Sequence, residues 1–109
     1  WFTFAFMDLN QKVWYDEFSS RENSVIIDVR TPEEFSDFRI PNSININFYD
    51  SEFFFNQVSS LDKTKNYFIY CKSGVRSNNS CKIMQELGFK NVYNLIGGIS
   101  EWDGEKIYN

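Results

Sequence analysis

Three short runs of β-branched and aromatic residues punctuate this chain: SVIID at 24–28, NYFIYC at 66–71 and NVYNL at 91–95. Each has the length and composition of a buried strand. Between them lie segments patterned as helices. In residues 10–20, Val13, Trp14 and Phe18 recur at helical spacing. Thr31 reads as a helix cap, with Pro32 at the first position and Glu33 and Glu34 at the positive end. A turn and a brief strand near Ile44–Ile46 follow. Asp50 then caps a further helix through DSEFFFNQVSSL. After the second strand, SNNSCKIMQELGF reads as a helix that opens at about Ser77. Cys81, Met84 and Leu87 share its inner face, and Gly88 terminates it. The last strand leads into a turn at Gly97 and Gly98 and a short ISEW helix. Strand–helix alternation of this kind predicts an α/β domain: a mainly parallel sheet sandwiched between helices. With no internal repeat or linker, residues 1–109 read as one domain.

Composition narrows the function classes. Apolar residues make up 42% and aromatics 19%, which argues for a packed core and against disorder. A net charge of −4 speaks against a nucleic-acid surface. No apolar run approaches the roughly 20 residues of a membrane span. The opening WFTFAFMDLN lacks a basic leader and a cleavage pattern, so no signal peptide is read. Cys71 and Cys81 do not make a disulfide framework, and no CxxC is present. The sequence contains no histidine, which removes every Cys-His or Ser-His pair and leaves too few ligands for zinc. No metal or organic cofactor is implied. A reactive thiol without a disulfide partner suits a reducing compartment, so a cytoplasmic monomer is expected.

The stretch YCKSGVRS places Cys71 at the carboxyl end of a predicted strand, where ligands collect in open α/β sheets. Gly74 permits a tight curl. The amides from Lys72 to Ser77, including those of Ser73 and Val75, can then converge into an anion-binding bowl. The following helix adds its first-turn N–H groups, and Lys72 and Arg76 add full charges. Such surroundings favour a thiolate over a thiol. Backbone dipoles would take over the role of the missing imidazole. The plainer reading is a buried strand-end cysteine followed by an ordinary turn.

This loop resembles the active-site loop of rhodanese-type sulfurtransferases: Cys, four residues, then Arg. Three more segments resemble the family in order. They are IIDVRTPEEF (Asp-x-Arg-x-x-x-Glu-[Phe/Tyr]), RIPNSININ, and LGFKNVYNLIGGISEW with its paired glycines and closing Trp. The resemblance covers about residues 10–103. It implies a rhodanese-like α/β/α sandwich. It also implies that Cys71 takes a sulfane sulfur from a donor such as thiosulfate and passes it, as a persulfide, to cyanide or a thiol. Arg76 would hold the donor's oxyanion, with Lys72 as a second donor-binding charge. The acceptor would be a small thiol, a thioredoxin-like reductant or another protein thiol. A binding or redox-sensing module of the same fold is the alternative. Phosphatases resembling this fold carry five residues between Cys and Arg, one more than the four here, so phosphatase or arsenate reductase chemistry is the weaker alternative.

Several residues carry narrower expectations. Asp28 and Arg30 read as scaffold, with Arg30 pairing to Glu33 or Glu34; a catalytic Asp28 is the lesser option. Arg39 stands where relatives have His, and either alters a loop contact or brings a third cation to the mouth. Asn47 stands where relatives often have Pro, so the loop toward the next helix is expected to differ. Cys81 reads as a core filler, with a resolving thiol as the sharper alternative. One helical face cannot bury Phe53, Phe54 and Phe55 together, so at least one is expected near the surface.

Overall fold

The computed structural model describes residues 5–109; the first four residues of the segment read for a leader lie outside them. The chain begins with strand β1 (Met7–Leu9) and helix α1 (Gln11–Ser20), whose first turn is closed by the Asn10 side chain accepting the Val13 N–H at 3.0 Å. Strand β2 (Ser24–Asp28) follows, then α2 (Pro32–Asp37). Thr31 and Glu34 form a reciprocal capping box at the start of α2, so the Thr-Pro-Glu-Glu signal marks a helix start as expected. Next come β3 (Phe38–Arg39), β4 (Ser43–Asn45), α3 (Ser51–Ser59, capped by Asp50) and β5 (Asn66–Tyr70). Helix α4 (Val75–Glu86), β6 (Asn91–Leu95), a 3-10 turn (Ile99–Glu101) and β7 (Ile107–Tyr108) complete the described chain.

Among the described residues the main sheet has five strands in the order β1-β6-β5-β2-β4, and each neighbouring pair is parallel. Parallel strands covered on both faces should read as continuous apolar runs, and the sequence of β2, β5 and β6 does. Alternate residues divide between two cores. Ile26, Phe68, Tyr70 and Tyr93 pack with Trp14 and Trp102 on one face. Ile27, Tyr67, Ile69 and Val92 pack with Phe54, Val58, Cys81 and Met84 on the other. Phe68 stacks on Tyr93 at a centroid distance of 4.6 Å, and Trp14 meets Phe68 edge-on at 5.8 Å. The expected three-layer architecture is therefore present, with Cys71 directly after β5.

Two features depart from the sequence reading. Strand β1 pairs with β6, and β3 pairs with β7 in a separate antiparallel ribbon; both were absent from the reading. Strands of two or three residues are too short to show a period. Helix α4 opens at Val75 rather than Ser77, because Gly74 adopts φ 114° and starts the helical turn two residues earlier. As expected of a single helical face, Phe54 of α3 is buried, whereas Phe53 and Phe55 remain 45% and 51% exposed.

Arg30 does not pair with Glu33 or Glu34. Its guanidinium turns inward to Asp28, with Nη2 to Oδ2 at 2.7 Å and Nε to both carboxylate oxygens at 3.0–3.1 Å. Arg30 Nη2 also donates to the Phe38 carbonyl at 2.6 Å, and the Arg30 N–H donates to Asp28 Oδ1 at 2.8 Å. Both side chains are buried. Asp28 is thus a scaffold group that braces the end of β2 against β3. Removing one member of a buried pair strands the other charge in a low-dielectric interior. Asp28→Ala is expected to lower unfolding free energy by about 3–5 kcal/mol, with Asp28→Ala/Arg30→Met recovering part of the loss. Urea denaturation of the three proteins checks this; a single-variant loss below about 1 kcal/mol would reduce the pair to the worth of an exposed one.

Candidate active site

The Cys71 loop is built from both ends. On its β5 side, the Tyr70 carbonyl accepts the Val29 N–H at 3.0 Å, which ties the loop's root to β2. On its outer side, the Cys71 carbonyl accepts the Ile99 N–H at 2.9 Å. The Lys72 carbonyl accepts the Ser100 N–H at 3.0 Å and the Ser100 hydroxyl at 2.7 Å. The turn after β6 therefore presses directly on the loop. Gly98 makes this approach possible: a Cβ there would lie 2.6 Å from the Cys71 oxygen and overlap the Lys72 carbonyl, and its φ is +61°.

With its first two carbonyls turned outward to that clamp, the loop curls over the sulfur. The Gly74 N–H donates to Cys71 Sγ at 3.0 Å. Ser77, fully buried, places its Oγ 3.3 Å from Sγ while donating to the Gly74 carbonyl at 3.2 Å. Asn78 is the first helical residue to bond back, to the Gly74 carbonyl at 3.0 Å. The N–H groups of Val75, Arg76 and Ser77 thus form the partnerless first turn of α4, at the positive end of the helix. Cys71 itself is only 1% exposed and belongs to an apolar cluster with Ile46, Phe54 and Met84. The structure brings Cys71, Gly74 and Ser77 into contact. Lys72, Ser73 and Val75 lie outward on the loop, all three exposed.

Arg76 is not an unoccupied cation. Its Nη1 donates to Glu34 Oε1 at 2.7 Å and its Nη2 to Glu34 Oε2 at 3.1 Å, a bidentate pair across 42 residues of sequence. Glu34 Oε1 also accepts the Thr31 N–H and hydroxyl, both at 3.1 Å. The Arg76 hydrogen bond is the main reason the Glu34 carboxyl titrates at about 2. The guanidinium carbon lies 5.0 Å from the Tyr49 ring centroid. Tyr49 is positioned by an Asn47 turn, in which Asn47 Oδ1 accepts the Tyr49 N–H at 3.0 Å and its carbonyl accepts the Asp50 N–H at 3.3 Å. The loop expected to differ at Asn47 is thus the one that supplies Tyr49.

Glu34, Tyr49, Gly98 and Ser100 escaped the sequence reading as site residues. Glu34 had a signal, its place in the Asp-x-Arg-x-x-x-Glu stretch, but its capping role accounted for it locally. Tyr49 and Ser100 had none. Arg39 makes a loop contact: it stacks on the Phe35 ring at 5.0 Å and donates to the Phe35 carbonyl at 3.4 Å. Cys81 is fully buried, and burial pushes its thiol well up, with Asp8 and Cys71 adding to the effect. A core filler is what the structure supports; a resolving thiol would need access. Among the described residues no helix is long and apolar enough to cross a membrane, and no group of three or more Cys, Asp or Glu could hold a metal ion.

A parallel α/β/α sheet with a cysteine-bearing loop between its central strand and a helix defines a cysteine-loop domain of the rhodanese-like class. The profile of the rhodanese-like domain matches residues 11–105, and the chain belongs to that family. It is similar to Bacillus subtilis (strain 168) YtwF, whose name proposes a sulfurtransferase: 39% identical over 90 residues, covering 83% of this chain and 84% of that protein. It is also similar to Debaryomyces hansenii UBA4, named an adenylyltransferase and sulfurtransferase, at 34% identity over 97 residues. That match covers 84% of this chain but only 22% of the longer protein. Among solved structures, a rhodanese-related protein from Thermoplasma volcanium superimposes with a TM-score of 0.78 at 25% identity, over 95% of this chain and all of that one.

Two outcomes follow from this geometry. Gly98→Ala is expected to cost about 2–3 kcal/mol, from the strained φ and the overlap with two carbonyls. Urea midpoints check it; a loss under about 0.5 kcal/mol would mean that the clamp yields freely. The Glu34 carboxyl lies below its ordinary 4.5 in the folded state, so its ion pair stabilises fully above about pH 4.5. That contribution is lost as pH falls from there toward about 2. Over this window the Tm of the native protein should fall more steeply than that of Glu34→Gln, measured by thermal melts in low-salt buffers.

Proposed function

We propose that the protein is a rhodanese-type sulfurtransferase that carries sulfur as a persulfide on Cys71. The observation that supports this most directly is the Gly74 N–H donated to Cys71 Sγ at the N-terminus of α4. The sulfurtransferase names of YtwF and UBA4 lend it chemical context. The Cys71 thiolate attacks the sulfane sulfur of a donor such as thiosulfate or a persulfide. A new S–S bond forms, the donor's own bond to that sulfur breaks, and the remainder leaves with the bonding pair. A thiol or cyanide then attacks the outer sulfur and restores the Cys71 thiolate.

The residues around the sulfur suit each stage. The Gly74 N–H points a donor at the sulfur, and the positive end of α4 beside it favours negative charge there. Ser77 has one hydroxyl proton and two acceptors within reach, Sγ and the Gly74 carbonyl. Turning that proton from the carbonyl to the sulfur follows the charge without moving the backbone. Lys72, Ser73 and Val75 form the outer rim that a donor or acceptor meets, and Arg76, paired with Glu34, lies in the first turn of α4 beside them. A small organic thiol, a thioredoxin-like protein or another protein thiol would serve as the acceptor in the cytoplasm. No cofactor enters this scheme.

Mass spectrometry after incubation with sulfane donors tests the proposal. The native protein is expected to gain one sulfur atom that maps to the Cys71 peptide and is lost on adding a thiol. Cys71→Ser should gain none. A folded native protein that takes up sulfur from neither thiosulfate nor an organic persulfide would remove the enzyme reading and leave a binding or redox-sensing domain.

A further inference from the structure

The bidentate grip of Glu34 on Arg76 bears on which donors the site accepts. An oxyanion-bearing donor would use the two Nη groups of Arg76 as a fork. Here both are committed to the Glu34 carboxylate, at 2.7 and 3.1 Å. The carboxylate is itself anchored twice by Thr31, so it does not swing away without breaking the α2 capping box. Tyr49 lies over the guanidinium, 5.0 Å from its carbon to the ring centroid. The formal charges of Arg76 and Glu34 cancel, and Lys72 remains as the outlying cation of the loop. A dianionic donor therefore meets a filled fork and a like charge beside it, which raises the barrier to its docking. The low exposure of Cys71 adds a second condition: the reacting end of the donor must be slender.

We infer that Glu34 is a specificity-determining residue that selects an organic persulfide, R–S–SH, over an oxyanion donor such as thiosulfate. This rests on the sulfurtransferase reading above. In the step itself, the Cys71 thiolate attacks the terminal sulfur of R–S–SH. The bond between that sulfur and R–S breaks, and R–S leaves as a thiolate with the bonding pair. The proton passes from the new Cys71 persulfide to that thiolate through water. The products are the Cys71 persulfide anion and R–SH, with no external oxidant or reductant. The organic group needs no contact with Arg76. Its source is a free small thiol or a cysteine in a polypeptide, and both present the same terminal sulfur.

The test compares the native protein with Glu34→Gln. Gln keeps the capping box, because its amide oxygen still accepts from Thr31, but it removes the charge that holds the fork. Sulfur loading of Cys71 is timed with three donors: thiosulfate, free cysteine persulfide and a persulfidated cysteine peptide. The native protein is expected to favour at least one persulfide over thiosulfate in kcat/KM. Glu34→Gln should raise the thiosulfate-to-persulfide ratio by about tenfold to a hundredfold. A second readout does not require turnover: sulfate should slow iodoacetamide alkylation of Cys71 in Glu34→Gln at concentrations that leave the native protein unaffected. Native loading by thiosulfate at or above the persulfide rates would overturn the inference, as would a ratio that Glu34→Gln leaves level or lowers. If no donor loads either protein, the sulfurtransferase reading itself fails. The alkylation comparison then still decides whether Glu34 withholds Arg76 from anions.

Discussion

The carbonyls of Cys71 and Lys72 hold the rest of the site in place. Both point outward and accept hydrogen bonds from Ile99 and Ser100, on the turn that follows β6. Because they are satisfied there, the next peptide can turn its N–H back toward the sulfur. The left-handed Gly74 makes that reversal and starts α4 in the same step. A cradle for negative charge is thus assembled from main-chain groups whose directions are set by two neighbouring strands. Gly98 is the point at which the clamp depends on a single missing methyl group, since any Cβ there overlaps the carbonyls it must approach.

The polar groups at the mouth are organised differently from those at the sulfur. Beside Sγ the polar groups are dipoles: one donating amide, one hydroxyl in contact and the end of a helix. Farther out, a full positive charge is present but spoken for, since Arg76 is tied to Glu34 and covered by Tyr49. Helix α2, which follows β2, and the loop after β4 thereby surround Arg76. Glu34 of the α2 capping box has a second task, so a residue that starts a helix also holds the cation of the Cys71 loop.

Much of this was legible from residue order. The apolar runs of β2, β5 and β6 announced buried parallel strands, and Thr31-Pro32 announced the start of α2. The Cys-x-x-x-x-Arg loop announced a cysteine at a strand end beside a helix start. Short strands such as β3 and β7 were not legible, because two residues carry no period and their pairing joins positions nearly 70 apart. The partner of Arg30 is not legible in the sequence, because Asp28, Glu33 and Glu34 all lie within four residues of it. Only the inward turn of its side chain, against the rings of Phe38 and Tyr70, decides the partner.

Local chemistry in the sequence determined the element order, the parallel sheet and the place of Cys71 at a strand end. Those outcomes depend on periodicity, caps and glycine conformations that act over a few residues. Tertiary structure alone decided that Glu34 occupies Arg76, that Tyr49 covers it, that Cys81 is sealed in the core, and that Gly98 carries the clamp on the loop. Each of those depends on groups brought within a few ångströms across long separations in sequence, where packing and electrostatics choose among partners that look equivalent along the chain.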